Sequence, residues 1–253
     1  MDDLAYTFQM AAWKIERANE HIKSVESVIQ WIVDPSNYVV TPDRNPQTGH
    51  YMIRVGPKGG GLPHQLSVWS GDAFHCLASA LDYVWSGMTR KAVPNLTTRA
   101  HFPRHEKREN LIDMVAKSAV AKAFPTIKDL IVDEIRPYKD GNFPVWAVGK
   151  LDNIDKHRLL IAAMTIARLG KFRAVSEDGS VIDLSYSTVQ TYGPELTLAF
   201  AAPFKFDDNP ELAVDVIFDE PEVLPSGQLV QKTLADFAQA VSRATETLKQ
   251  TVL

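Results

Sequence analysis

The sequence contains only one cysteine, Cys76, among 253 residues. A single cysteine excludes a disulfide within the chain and any zinc site built from several cysteines, which favours a reducing compartment such as the cytoplasm. The longest apolar run, Leu159 to Ala167, is far shorter than the roughly 18 residues of a transmembrane helix. The first residues, MDDLAYTFQM, lack the basic and apolar regions of a signal peptide. We therefore expect a cytoplasmic protein without a membrane partner.

The chain also lacks a strong charge of either sign, with 27 basic and 31 acidic side chains and a net charge of -4. This balance argues against a broad nucleic-acid-binding surface, because non-specific affinity for phosphates depends on clustered Lys and Arg. A local basic patch is still compatible with this net charge. The hydrophobic fraction of 45% is that of an ordinary globular protein with a sizeable core.

Two long helices are predicted at the ends of the chain. Apolar residues recur at spacings of four and three from Leu4 to Ile32, which predicts a helix of about thirty residues that ends before Pro35. A similar pattern follows from Val230 to Val252. Because such narrow apolar stripes need partners, we expect both helices to pack in one bundle. The long helices could also contact a second copy of the chain in a homo-oligomer or another protein partner.

Between these helices the pattern predicts an α+β fold in one domain over residues 1–253. A mostly helical part covers 1–168 and includes a hairpin insertion at 38–55, antiparallel strands cover 171–220, and the last helix covers 226–253. Internal helices are predicted at about Ser70–Met88, Arg108–Lys122, Ile127–Ile135 and Val145–Arg168, and strands at Phe172–Ser176, Val181–Ser185, Leu196–Ala202 and Leu212–Phe218. Consecutive strands without helices between them predict antiparallel pairing.

A first polar stripe lies on the helix predicted around Gly71 to Trp85. Asp72, His75, Ser79 and Asp82 follow at spacings of three, four and three, so they share one face. Carboxylates and a histidine at this spacing suit acid–base chemistry or a cation. They also suit a structural role, because Asp72 lies near the helix start and His75 can bond to a neighbouring carboxylate.

A second polar cluster precedes the apolar run of Leu159 to Ala167, which we expect to be a buried helix. The cluster comprises Asp152, Asn153, Asp155, Lys156, His157 and Arg158. Charges beside a buried segment must be paired to be tolerated. The pattern therefore predicts either a functional site or a salt-bridge network that fixes two helices in register.

These two segments resemble motifs of a large family of uncharacterised bacterial proteins, which show GDxxHNLRSALDHL, a later FP, a QPY-like element and NxDKHR. The matching stretches here are Gly71 to Tyr83, Phe102-Pro103, Arg136-Pro137-Tyr138 and Asn153 to Arg158, and the likeness spans most of residues 1–168. The family's RSALDH has the Arg-x4-His form of HEPN-like helical domains, many of them metal-independent ribonucleases of toxin and defence systems. Ala78 and Tyr83 replace that arginine and histidine here, so the resemblance implies a degenerate motif.

Two hypotheses follow for the function. In the first, a HEPN-like protein acts on RNA, a nucleotide or another phosphate-containing ligand without a metal or cofactor. Its predicted catalytic residues are His75, His157, Asp72 and Asp155, and its predicted ligand-binding residues are Asn153, Lys156, Arg158 and Asp82. In the second, a non-enzymatic degenerate member serves as a structural or protein-interaction module. A metal-dependent hydrolase that uses His75, His157, Asp72 and Asp82 is a weaker alternative, because the sequence has no recognised zinc signature such as HExxH.

The densest basic segment runs from Arg99 to Arg108 and contains His101, Arg104 and His105. It can contact phosphates, although Glu106 and Glu109 dilute its charge. An exposed loop before a helix is the simpler interpretation.

Overall fold

The computed structural model describes residues 3–58, 64–95, 100–158, 160, 162–176, 178–190, 196–200, 203–206 and 212–253. Within this part of the chain, long terminal helices and small antiparallel sheets confirm the predicted α+β class. The helices are α1 (Asp3–Val33), α2 (His64–Ala92), α3 (Arg108–Ala116), α4 (Ala119–Ala123), α5 (Ile127–Asp129), α6 (Phe143–His157) and α7 (Val230–Val252). None of the helices in the described part is both long and apolar enough to cross a membrane.

The apolar stripe of α1 is buried as predicted. Eight of the nine apolar positions in the predicted stripe are buried, namely Leu4, Phe8, Ala11, Ala18, Ile22, Val25, Ile29 and Ile32. The ninth, Ile15, is half-buried. α1 packs along α2 and also contacts α7, which confirms that the two terminal helices share one bundle. The most extensive partner of α1 is α2 rather than α7.

α1 and α2 approach closely where Gly87 faces Thr7. A Cβ atom added at Gly87 would lie 2.5 Å from Thr7 Cγ2 and 2.6 Å from Thr7 Oγ1. Thr7 is buried, and its hydroxyl donates a hydrogen bond to the Asp3 carbonyl oxygen at 2.9 Å. The missing side chain at Gly87 therefore sets the distance between the two helices.

Aromatic contacts join the bundle to a strand. The ring of Phe74 on α2 lies 5.2 Å from that of Phe237 on α7 and 5.9 Å from that of Phe218. All three side chains are buried. Because buried aromatic rings contribute large apolar areas, this cluster fixes α2, α7 and the strand that carries Phe218 to one another.

Three antiparallel three-stranded sheets account for the strands of the described residues. Their orders are β1-β2-β7, β6-β3-β9 and β5-β4-β8. The strands are β1 (Tyr38–Arg44), β2 (Tyr51–Pro57), β3 (Ala162–Leu169), β4 (Arg173–Ser176), β5 (Val181–Asp183), β6 (Thr188–Gln190), β7 (Leu196–Phe200), β8 (Phe204–Phe206) and β9 (Leu212–Phe218). The predicted hairpin is present, but β2 also pairs with β7, so the hairpin belongs to a larger sheet.

The predicted helix Val145–Arg168 is wrong in its second half. α6 ends at His157, Arg158 has an extended backbone, and Ala162–Leu169 forms β3, the middle strand of its sheet. A short run that is apolar on every side fits a buried central strand as well as a buried helix, because periodicity does not separate the two. Residues 159 and 161 of the run, and residues 201 and 202 of another predicted strand, lie outside the described residues.

The middle of the chain is more divided than predicted. The helix expected at Arg108–Lys122 breaks at Ser118, whose hydroxyl accepts a hydrogen bond from the Ala121 N–H and caps α4. α5 continues into a π-helical turn, Leu130–Ile135. That turn ends at Arg136 in a left-handed conformation with φ of 59°. α2 begins six residues earlier than predicted and extends to Ala92.

Replacing Gly87 with alanine tests the α1–α2 approach. The new Cβ would overlap Thr7, so we expect the free energy of unfolding to fall by about 1–3 kcal/mol in urea denaturation. The double variant Gly87→Ala with Thr7→Gly removes all three overlapping atoms, Thr7 Cγ2, Oγ1 and Cβ. It should recover part of the loss, because the overlap is relieved while the glycine at position 7 costs helix stability. A Gly87→Ala variant as stable as the parent would contradict this packing.

Candidate functional site

Three side chains of the predicted site meet where α2 contacts α6, and we call them the junction cluster: His75, Asp152 and Lys156. His75 Nδ1 lies 2.8 Å from Asp152 Oδ1, and Lys156 Nζ donates to Asp152 Oδ2 at 2.7 Å. Asp152 is only 8% exposed, whereas the His75 side chain is 48% exposed. A buried carboxylate is therefore paired with the charge of Lys156 and hydrogen-bonded to His75, and both partners reach it from the surface.

This geometry determines which nitrogen of His75 carries the proton. A carboxylate only accepts hydrogen bonds, so Nδ1 donates to Asp152 and the neutral ring keeps its lone pair on Nε2. A half-exposed imidazole oriented by a carboxylate is a common arrangement for a general base. The same contacts also link α2 to α6, which is the structural interpretation of the cluster.

Asp155 lies against the same helix contact. A Cβ atom at Gly71 on α2 would collide with the Asp155 carboxyl group, so the glycine makes room for it. Asp155 Oδ1 is buried and has no hydrogen-bond partner among the described residues. Burial, followed by the charge of Asp72, raises the pKa of Asp155, while a hydrogen bond from the Leu160 backbone lowers it.

Asp72 points from this contact toward α1. Its Oδ2 lies 3.9 Å from His21 Nδ1, and half of its side chain is exposed. Burial lowers the pKa of His21, although the Asp72 charge acts in the opposite direction. Asp72 thus remains next to the junction cluster without joining its hydrogen bonds.

Asp82 belongs to a second group of contacts rather than to the junction cluster. Its carboxylate accepts hydrogen bonds from His101 Nδ1 at 2.8 Å and from the Phe102 N–H at 2.9 Å. Arg104 Nη1 lies 3.5 Å from the same carboxylate. Asp82 therefore fixes the 101–104 segment onto α2, and both of its oxygens are already engaged.

Arg104 belongs to the basic segment that the sequence places in an exposed loop, but its side chain is only 14% exposed. Its Nε donates to the Val145 carbonyl oxygen at 3.1 Å, and a Cβ at Gly149 would lie 3.0 Å from its Nη1. Burial lowers the pKa of Arg104, while the charges of Asp82 and Asp152 raise it, and the guanidinium stays charged at neutral pH. Its Nη2 is buried and has no hydrogen-bond partner in the described part of the chain.

A cleft of about 620 Å³ opens beside Arg104, between α6 and the segment that precedes α3. We call it the Arg104 cleft, and its walls include Phe102, Arg104, Glu106, Trp146, Lys150 and Asn153. Lys150 Nζ lies 3.4 Å from Glu106 Oε1 and 6.0 Å from the centre of the Trp146 ring. The predicted ligand-binding residue Asn153 thus faces this cleft rather than the junction cluster.

The other two predicted residues lie at the end of α6. His157 is exposed, and its imidazole has no hydrogen-bond partner among the described residues. It follows Asp152 by five residues, which turns it by about 140° around a helix. Arg158 donates two hydrogen bonds to Glu220, at 2.9 and 2.8 Å, and Glu220 is 1% exposed.

The structure thus separates six of the predicted residues into two groups and leaves His157 and Arg158 outside both. His75 and Lys156 meet around Asp152, with Asp72 and Asp155 beside them, whereas Asp82 and Asn153 belong with Arg104. Asp152 lies in the polar cluster of the sequence but is not among its predicted catalytic or ligand-binding residues. Its burial depends on the contact between α6 and α2, which the sequence does not show. Arg104 directly follows the Phe102-Pro103 element, and this position was the signal that could have identified it.

The described residues contain no group of three or more His, Cys, Asp or Glu side chains arranged as metal ligands. Comparisons with protein-family models, with curated proteins and with solved structures find no match to this chain. Its chemistry is therefore defined by two groups of side chains, the junction cluster and the residues around Arg104.

The pH dependence of stability tests the environment of Asp155. The pKa of Asp155 in the folded state is raised above the ordinary 3.8. The charged carboxylate therefore destabilises the fold when the pH is above 3.8, and this penalty disappears well below pH 3.8, where the group is protonated in both states. We expect Asp155→Asn to raise the unfolding midpoint at neutral pH, and the gain to shrink as the pH falls toward 4.

Asp178 provides a control of opposite sign. Hydrogen bonds from Ser176 and Ser180 lower its pKa to about 2, so its charge stabilises the fold above the ordinary 3.8 and this contribution is lost as the pH falls through about 2. Asp178→Asn should therefore lower the midpoint at neutral pH. If Asp155→Asn lowers the midpoint at neutral pH as Asp178→Asn does, the assignment for Asp155 is wrong.

Proposed function

We propose that the junction cluster is an acid–base site that acts on a phosphate-containing ligand, either a nucleotide or RNA. The observation that supports this proposal most directly is the orientation of His75 by the buried carboxylate of Asp152. Lys156 places a positive charge on the other oxygen of the same carboxylate. A general base next to a cation is the combination that phosphate-ester cleavage requires.

In the proposed step, His75 Nε2 accepts the proton of an attacking hydroxyl group or water. The new oxygen–phosphorus bond forms while the bond to the leaving oxygen breaks, and the proton passes to that oxygen. Lys156 stabilises the charge on the phosphate oxygens. Asp152 holds the imidazole in place and favours its cationic form after proton transfer.

Several predicted roles change in this proposal. His75, rather than His157, transfers the proton, because His75 has a carboxylate that orients it. Asp72 and Asp155 act on the electrostatics of the cluster instead of contacting the phosphate, which would repel them. Arg158 is assigned to the ion pair with Glu220.

The HEPN-like form of the RSALDH segment in the resembling family favours RNA as the ligand and a role in defence or RNA processing, and the single cysteine favours the cytoplasm. Ala78 and Tyr83 stand where the HEPN-like pattern has its arginine and histidine, so the proposed chemistry does not use that motif. Ala78 is also buried, which leaves no side chain at this position to reach a phosphate.

A second candidate function is a non-enzymatic structural or protein-interaction module. This candidate is favoured because two cations of the polar cluster already have partners within the chain. Lys156 binds Asp152, and Arg158 binds Glu220. In this case the His75–Asp152 hydrogen bond joins α2 to α6, the Arg158–Glu220 pair joins the end of α6 to the segment after β9, and the long helices contact the partner.

Substitution of His75 tests the catalytic proposal. We expect His75→Ala to reduce the cleavage of a nucleotide or a single-stranded RNA oligomer by about 100-fold or more, because general-base catalysis contributes about 10²–10⁴-fold. The unfolding midpoint should stay close to that of the parent.

His50→Ala is the matched control, since His50 is exposed beside the β1–β2 connection. His157→Ala, measured in parallel, distinguishes the two histidines that the sequence predicts. Parent protein without cleavage activity, or His75→Ala with full activity, would contradict the proposal.

A stability measurement tests the structural candidate. Removing both partners with His75→Ala and Lys156→Met leaves the Asp152 carboxylate buried without its two side-chain partners. We expect a loss of about 2 kcal/mol in urea denaturation, less than the ~3–5 kcal/mol of a fully buried pair because the Lys156 side chain is 53% exposed. Unchanged stability would show that the cluster does not hold the helices together.

A further inference from the structure

Arg104 carries an unsatisfied donor in a buried position. Two of its nitrogens have partners, since Nε donates to the Val145 carbonyl oxygen and Nη1 lies within 3.5 Å of Asp82. Nη2 is buried without an acceptor among the described residues. A buried donor left unpaired costs about 1–3 kcal/mol, and more for a charged group, so such groups in native proteins commonly mark the place of a ligand, ion or water.

The environment of Arg104 is built to retain the cation. Its guanidinium carbon lies 5.4 Å from the centre of the Phe102 ring, and Gly149 leaves the space that a side chain on α6 would occupy. The Arg104 side chain is 14% exposed and forms part of the wall of the Arg104 cleft. The cation is thus fixed at the base of an open cleft rather than sealed inside the core.

The rest of the cleft indicates the kind of ligand. Lys150 supplies a second positive charge on the α6 wall, Asn153 supplies an amide, and Phe102 and Trp146 supply apolar surface. A volume of about 620 Å³ falls within the ~300–1,000 Å³ typical of small-molecule pockets. These features suit a molecule with one anionic group and an apolar body.

We infer that the Arg104 cleft binds the oxyanion of a small organic molecule, with the anionic group on Arg104 Nη2 and Lys150. A phosphate ester and a carboxylate share this chemistry. The site is distinct from the junction cluster, and the inference does not rest on the proposed function. Arg104 retains its contacts to Asp82 and Val145 when the ligand binds.

Glu106 limits the affinity of this site. Its carboxylate lies 3.4 Å from Lys150 Nζ, with both side chains more than half exposed. An incoming oxyanion competes with Glu106 for Lys150 and is repelled by its charge. Removing the Glu106 charge should therefore strengthen binding, which is the opposite of the effect expected for Arg104.

The test uses the full chain and three probes, inorganic phosphate, acetate and adenosine monophosphate, at constant ionic strength. Binding is measured by calorimetry and by the rise in unfolding temperature. We expect saturable binding of at least one probe, an affinity about tenfold or more lower in Arg104→Met, and about threefold higher in Glu106→Gln. Arg17→Met is the matched control, since it removes an exposed arginine that pairs with Glu20 on α1.

The comparison of probes identifies the source of the oxyanion. A preference for the two phosphates over acetate assigns the cleft to phosphate esters, and the reverse assigns it to carboxylates. Tighter binding of adenosine monophosphate than of inorganic phosphate shows that the apolar walls contribute. The inference depends on Arg104 and Glu106 and the proposed catalytic function on His75, so Arg104-dependent binding without cleavage, or cleavage without Arg104-dependent binding, would separate the two.

Two results would overturn the inference. One is the absence of saturable binding for all three probes. The other is equal binding by the parent, Arg104→Met and Glu106→Gln. If Arg104→Met does not fold, Glu106→Gln and Gly149→Ala decide, because a Cβ at Gly149 would crowd the guanidinium and should weaken binding.

Discussion

The carboxylate of Asp152, buried between α2 and α6, is the constraint on which the polar part of this structure depends. A charge at this depth is tolerated only when it is paired, and His75 and Lys156 provide the pairing. The same charge favours the cationic form of Arg104. Asp152 thus orients the imidazole of His75 through a hydrogen bond, and its negative charge favours the charged form of the Arg104 guanidinium.

Glycines make this arrangement possible. Gly71 on α2 admits the carboxyl group of Asp155, and Gly149 on α6 admits the guanidinium of Arg104. A methyl group at Gly71 would collide with that carboxyl group, and one at Gly149 would crowd the guanidinium. The polar groups therefore enter the helix contacts through missing side chains, while the apolar stripes of α1, α2 and α7 form the surrounding core.

The helices that were predicted well are those with a regular apolar stripe. The stripe from Leu4 to Ile32 identifies the buried face of α1, because a long amphipathic helix repeats its signal many times. The run from residue 159 to 167 lacks this contrast, and the central position of β3, which begins at Ala162, depends on pairing with β6 and β9. Sequence spacing alone contains no information about that pairing.

The candidate site was predicted in part for the same reason. The stripe on α2 placed His75 and Asp82 on one face, but seven residues separate them, and each meets a different partner. That Asp152 is the partner of His75, and that Arg104 is held by Asp82, depends on contacts between distant segments. An unsatisfied donor such as Arg104 Nη2 becomes visible only when all of its neighbours are placed.

The central claim is that Asp152 holds His75 with its proton on Nδ1 and its lone pair on Nε2. Nitrogen-15 NMR of the imidazole at about pH 8, above the ordinary histidine pKa, reports the tautomer directly. We predict the Nδ1–H form for His75, in contrast to a mixture of tautomers for the exposed His50. An Nε2–H tautomer at His75, or the same mixture as at His50, would contradict the account.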